Sequence, residues 1–225
     1  MRGTNPKRSP ETGNGLELAV QDIFATFQGE GLYTGWPSVF IRLGGCNLAC
    51  AFCDTEFESY ENRSLADIME DITAKAQNEH GERVRGLVVI TGGEPLRQPI
   101  EALCRALLEE GFNVQIETNG TLWRPLPKKV DVVCSPKATE RGYFPLRDDV
   151  LQHASALKFI ISKSQKPYDA VPDVGQGGYD IPVYVQPMDE YDPTRNEENQ
   201  QHALAIAEQY GYRLSLQTHK WLGIA

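Results

Sequence analysis

The stretch "SVFIRLGGCNLACAFCDT" (38–55) decides the reading of this chain. Its first six residues are an apolar, β-branched run, the pattern of a strand buried on both faces. The run stops at Gly44-Gly45, and Cys46, Cys50 and Cys53 follow within eight residues. A chemistry-bearing loop therefore hangs from the C-terminal end of a buried strand. That is where α/β folds place their sites.

Working outward, the same pattern recurs. "LVVIT" (87–91), "NVQIET" (113–118), "VDVVCS" (130–135), "LKFIIS" (157–162) and "IPVYVQ" (181–186) read as further strands, with "YRLSLQTH" (212–219) closing the series. Helical periodicity appears over 63–79, where Ser64 and Asp67 suggest an N-terminal cap. A second helix is expected over 99–111, with Pro99 in its first turn and Gly111 past its end, and a third over 194–211. The expected fold is α/β: an incomplete, TIM-like (β/α) barrel of about six parallel strands and three main helices. One domain is expected over 16–225, preceded by a flexible arm over 1–15 whose Pro, Gly and Asn content shows no apolar pattern.

Composition narrows the function. The 225 residues carry a net charge of −9, against broad nucleic-acid or anionic-membrane binding. No apolar run is long enough to span a bilayer, and the N-terminus lacks the apolar core of a secretory signal. A cytoplasmic location is expected. Five cysteines, three of them in one loop, do not resemble a disulfide framework. Clustered thiolates select zinc, copper(I) or iron–sulfur clusters. Structural zinc wants four closed ligands, and no fourth Cys or His is near in sequence. Three ligands on a four-iron cluster leave one iron open. Spacing alone still leaves an incomplete zinc site open. Cys104 and Cys134, inside an expected helix and strand, read as core residues.

With an aromatic residue, Phe52, before the last cysteine, the C-x-x-x-C-x-x-C loop resembles that of the radical S-adenosylmethionine (SAM) superfamily. "TGGEP" (91–95), after a strand, resembles the superfamily's second motif. "FQGEG" (27–31), "FIRLGGC" (40–46), "CDT" (53–55), "IETNG" (116–120), "SPK" (135–137), "VQP" (185–187) and "LQTHK" (216–220) follow the order seen in the 7-carboxy-7-deazaguanine synthase family. The resemblance runs from about Ile23 to Ala225 and is weakest between Arg141 and Tyr179.

That resemblance implies a lyase that contracts the ring of 6-carboxy-5,6,7,8-tetrahydropterin to 7-carboxy-7-deazaguanine, releasing ammonia, in queuosine and other 7-deazapurine biosynthesis. A reduced [4Fe-4S] cluster on Cys46, Cys50 and Cys53 cleaves SAM to a 5′-deoxyadenosyl radical. The radical takes hydrogen from C6, and SAM is regenerated. Phe52, Cys53, Asp54, Gly93, Glu94, Ser135, Pro136, Lys137 and Gln186 are implied in SAM binding, the Glu94 carboxylate meeting the SAM ammonium. Phe27, Gln28, Gly29, Glu30, Arg42, Thr91, His219 and the carboxylate of Ala225 are implied at the substrate, with the tail 220–225 packing inward. Thr55 is the implied Mg²⁺ ligand. A homodimer and an external, flavodoxin-like electron donor come with the resemblance. Taken alone, "QGEG" and "SPK" read as turns, Thr55 as a capping hydroxyl, and His219 as a structural residue. Two other readings are a radical SAM activase acting on a protein, and a zinc or electron-transfer module. "FQGEG" and "QTHK" favour a small-molecule pocket over the first. A three-cysteine set disfavours the electron-transfer module.

Overall fold

The computed structural model describes residues 5–139 and 141–224. In chain order they form β1 (Glu17–Phe27), β2 (Pro37–Leu43), β3 (Glu61–Ser64), α1 (Leu65–Ala76), β4 (Leu87–Gly92), α2 (Glu101–Glu109), β5 (Asn113–Thr118) and β6 (Val130–Cys134). There follow the small ribbon β7 (Ala138–Thr139) and β8 (Gly142–Tyr143), then α3 (Asp148–His153), β9 (Ala154–Ile161), β10 (Val183–Pro187), α4 (Pro193–Tyr210), β11 (Arg213–Leu214) and α5 (Thr218–Leu222).

One nine-stranded sheet has the order β11-β10-β9-β6-β5-β4-β2-β1-β3. From β2 to β11 every neighbouring pair is parallel, while β1 pairs antiparallel with both β2 and β3. The six expected strands are thus β2, β4, β5, β6, β9 and β10, wound in chain order as a partial barrel requires. Burial explains their apolar runs: Leu87, Val88, Val89 and Ile90 of β4 are all fully enclosed. Ile68 and Ile72 of α1 and Leu103 and Leu107 of α2 cover one region of the sheet. Ala203, Ile206 and Ala207 of α4 cover Phe159, Ile161 and Val185. Enclosing one such large apolar side chain contributes about 1.5–3 kcal/mol.

The helix signals act as read at α1, where Ser64 Oγ accepts from the Asp67 amide at 3.1 Å. Asp192 caps α4 in the same way, and Gly211 ends it at φ 70°. Pro99 differs: it precedes the α2 cap residue Ile100 and lies outside the helix. The closing strand is also shorter than 212–219. Only Arg213 and Leu214 pair in register with β10; Ser215 still donates from N to Val185 O at 2.9 Å and from Oγ to Gln186 Oε1 at 2.8 Å, and the chain then leaves for the loop after β1. Ser215 Oγ accepts from Gly31 N at 3.0 Å, and Thr218 N donates to Gly29 O at 3.1 Å. The chain then turns into α5. Trp221 and Leu222 are 66% and 71% exposed, so the tail up to Ile224 does not pack inward as expected. Ala225 lies outside the described residues.

β1 was not anticipated. Gln21, Asp22 and Thr26 break its apolar run, as suits a strand near the sheet edge rather than its centre. The segment 5–15, expected from sequence to be a loose arm, is tied to the loops after β2 and β4: Arg8 N donates to Cys46 O at 2.7 Å and Glu11 N to Arg97 O at 2.7 Å. Residues 1–4 lie outside the described residues.

Candidate active site

A cavity of about 590 Å³ opens at the C-terminal ends of the parallel strands, within the range of small-molecule sites. All three loop cysteines line it. Cys46 is buried, and Cys50 and Cys53 are half-buried. Two amides approach Cys46 Sγ, Leu48 N at 3.4 Å and Asn119 Nδ2 at 4.0 Å. Burial pushes the Cys46 thiol up to about 11 and the Cys50 thiol upward. Among the described residues no three His, Cys, Asp or Glu side chains converge on one point suited to a single metal ion. A four-iron cluster asks for something different, since each thiolate binds a separate iron. Three thiols around one cavity, with N–H donors aimed at sulfur, fit that group. Cys104 and Cys134 are fully buried core residues whose thiols burial raises to about 12.

Two glycine pairs bring the motifs together. Gly93 packs on the backbone of the cysteine loop so closely that a Cβ there would lie 2.0 Å from Gly45 O. Its amide donates to Leu43 O at 3.1 Å, and Glu94 N donates to Gly45 O at 3.0 Å. Gly92, at φ 134°, takes a conformation that side chains disfavour.

The far end of the cavity is charged. Lys158 Nζ donates to Glu30 Oε2 at 2.6 Å and to Glu117 Oε2 at 2.9 Å, although Lys158 is only 5% exposed. Burial by itself would raise the Glu30 carboxyl, but the Lys158 ammonium outweighs it and holds that group at about 2. Burial pushes Glu117 upward. Gln217 Nε2 donates to Glu30 Oε1 at 2.9 Å, and Gln115 Nε2 to Glu117 Oε1 at 2.7 Å.

Comparison with known proteins places this arrangement. Residues 40–135 match the radical SAM superfamily. A 7-carboxy-7-deazaguanine synthase of Rickettsia prowazekii is 55% identical, covering all of this chain and 96% of its own length. That of Rhodospirillum rubrum is 42% identical over the whole of both chains, and that of Escherichia coli K12 32% identical over 93% of this chain and 100% of its own. The crystal structure of QueE from Escherichia coli superposes with a TM-score of 0.71 at 25% identity, covering 89% of this chain and 93% of that one. The chain belongs to the 7-carboxy-7-deazaguanine synthase family. As a radical SAM enzyme of that family, it uses a [4Fe-4S] cluster and SAM.

Most residues anticipated for a synthase of this family meet in the one cavity. Phe52, Asp54, Gly93, Ser135, Lys137 and Gln186 line it beside the cysteines, and Phe27, Gln28, Gly29, Glu30, Arg42, Thr91 and His219 line the remainder. Burial lowers the His219 imidazole below its ordinary value, so the ring is neutral at pH 7. Its place depends on Gly29: a Cβ there would lie 2.2 Å from His219 Nδ1. Lys137 Nζ donates to Ser135 Oγ at 2.6 Å. Thr55 Oγ1 lies 3.2 Å from Asp54 Oδ1, an all-oxygen pair of the kind Mg²⁺ prefers.

Two anticipated residues do not line the cavity. Pro136 is not part of its wall. Glu94 is fully buried and does not line the cavity. It accepts from Thr118 Oγ1 at 2.7 Å, Asn119 N at 2.8 Å and Leu96 N at 3.0 Å. It thereby fixes β5's end, from which Asn119 reaches Cys46. Sequence reasoning missed Glu117 and Lys158, and also Tyr168, whose ring meets Phe52 edge-on at 5.1 Å. A lysine inside the apolar run "LKFIIS" was the available signal, since a buried strand lysine needs acidic partners. Among the described residues no helix is long and apolar enough to cross a membrane.

Proposed function

We propose that this chain converts 6-carboxy-5,6,7,8-tetrahydropterin to 7-carboxy-7-deazaguanine with loss of ammonia. The observation that carries the reading is a single cavity with the three cysteines at one end and a carboxylate-and-amide set at the other. When bound, the reduced cluster and SAM supply the 5′-deoxyadenosyl radical. The chain's own residues position the substrate. Arg42, over the Phe24 ring at 5.5 Å, offers a bidentate fork to the pterin carboxylate. Glu30 and Glu117 supply acceptors for the amino and lactam N–H groups of the pterin edge, and Gln28 adds an amide that can donate or accept. Thr91 and neutral His219 supply further hydrogen bonds. Phe52, Gly93, Ser135, Lys137 and Gln186 border the SAM end, and Thr55 with Asp54 offers the Mg²⁺ oxygens. The homodimer, the flavodoxin-like electron donor and the queuosine route come from the family likeness, and the cytoplasmic setting from the sequence pattern.

Lys158 holds the Glu30 carboxylate ionised as an acceptor and favours the charged form of neighbouring Glu117 against its burial. Without it, one would take up a proton, as close carboxylates do. Lys158→Met is expected to weaken substrate binding at least about tenfold, roughly 1.4 kcal/mol, with SAM affinity unchanged. Calorimetric titration of each ligand checks this.

The proposed reaction is tested with protein reconstituted anaerobically with iron and sulfide, reduced, and supplied with SAM, Mg²⁺ and the tetrahydropterin. Mass-spectrometric detection of 7-carboxy-7-deazaguanine supports it. SAM cleavage without that product rejects the pterin and points to a protein substrate.

A further inference from the structure

We infer that residues 5–11 are a strap that completes the cluster pocket, with Asn5 a positioning residue for the cysteine loop and Glu11 the anchor. The inference rests on Cys46, Cys50 and Cys53 holding the cluster. The strap lies before Leu16, outside every family motif in the sequence.

The anchor holds a buried charge. Arg97 is 2% exposed and sits directly behind Gly44-Gly45, the pair that leads into Cys46. Its guanidinium donates to Glu11 Oε1 at 2.6 Å, to Ser9 O at 3.1 Å and to Gly44 O at 2.9 Å. Two of these acceptors belong to the strap, and Glu11 is the carboxylate. Removing it strands an enclosed cation, which proteins tolerate poorly. Arg124 adds a second clasp, donating to the Glu11 carbonyl and to Leu96 O at 2.8 Å. A freely moving arm would not carry the counter-charge of a buried arginine.

From that anchor the strap crosses the cysteine loop at both ends. At the entry, Lys7 pairs with Cys46 as an isolated bridge, and Arg8 N donates to Cys46 O at 2.7 Å. At the exit, Arg8 grips Glu58 with Nε at 3.1 Å and Nη2 at 2.5 Å. Asn5 Nδ2 donates to Thr55 O at 2.9 Å and lies 4.0 Å from Cys53 Sγ, and Asn5 lines the cavity. The loop between Cys46 and Phe57 has no helix or strand of its own, so its geometry is set by what it touches. Amide donors near a cluster's sulfurs stabilise the thiolates and tune the cluster's potential. The strap supplies one such donor and closes one side of the loop.

The test compares wild type, Glu11→Gln and Asn5→Leu by readouts that need no turnover. In anaerobic apoprotein, the rate at which iodoacetamide alkylates Cys50 and Cys53 is followed by peptide mass spectrometry. In reconstituted protein, iron release to a chelator is followed by absorbance. Glu11→Gln is expected to raise both rates at least fivefold. Asn5→Leu is expected to speed iron release and shift the cluster's reduction potential negative, with the urea midpoint of the apoprotein unchanged. Rates within twofold of wild type in both variants overturn the strap. Faster rates in Glu11→Gln alone overturn the part given to Asn5. Should Glu11→Gln fail to fold, Asn5→Leu decides. Should wild type take up no four-iron cluster, the cluster assignment fails, while the alkylation rates still test the strap.

Discussion

Gly93→Ala is expected to abolish product formation and to lower the urea midpoint of the apoprotein. The new Cβ would lie 2.0 Å from Gly45 O, 2.4 Å from the Gly45 carbonyl carbon and 2.9 Å from Cys46 N. All three are backbone atoms, so no side chain can rotate away. Relief requires the loops 44–46 and 92–94 to part, which lengthens the bonds from Gly93 N to Leu43 O and from Glu94 N to Gly45 O. Overpacking of this kind costs about 1–3 kcal/mol or more. Activity suffers further, because the displaced atoms carry Cys46. Equilibrium unfolding and the product assay check the two halves separately. A fully active Gly93→Ala protein would contradict the close approach of the two motifs.

Cys50→Ala is expected to remove all product and the cluster's visible absorption while leaving the apoprotein's stability within about 1 kcal/mol of wild type. Cys50 is only half-buried, in a loop without regular structure, so its truncation leaves little cavity. With two thiolates the four-iron group loses a third of its protein ligands. Cys104→Ala makes the contrast. That thiol, on α2, is fully buried in the core that α1 and α2 form with the sheet, so its loss is felt in unfolding and not in absorption. Absorption spectra and urea titrations of both variants give the comparison.

The parts of this fold that could be read from the sequence are those whose signals are local. β4 is enclosed from Leu87 to Ile90, so it is an apolar run of the expected length, and β5 buries its β-branched Val114 and Ile116. The caps at Ser64 and Asp192 involve neighbours two or three residues away. β1 was missed because it pairs at the antiparallel side of the sheet and alternates with polar residues. The end of the chain was misread because Ser215 is the last residue to bond to β10, and Thr218 bonds to the loop after β1 instead of continuing the strand, a choice set by residues far away in sequence. The site divides the same way. Its cysteines and glycines form motifs of fixed spacing, and these were legible. The partners of Lys158 lie on the loop after β1 and on β5, and the partner of Arg97 lies in the arm. Only folding brings those charges together. Glu94 shows the converse: a motif residue whose spacing was clear but whose carboxylate bonds to β5's end instead of facing the cavity.

The central claim is that a radical generated beside Cys46, Cys50 and Cys53 takes hydrogen from a pterin held against Arg42, Glu30 and Glu117. The most direct test uses 6-carboxytetrahydropterin deuterated at C6, with reconstituted, reduced protein and SAM. Mass spectrometry then follows the label in SAM and in product. The account predicts one deuterium recovered in SAM and 7-carboxy-7-deazaguanine formed in the same reaction. Unlabelled SAM alongside full conversion would contradict it, because the hydrogen would then have left the pterin by another route.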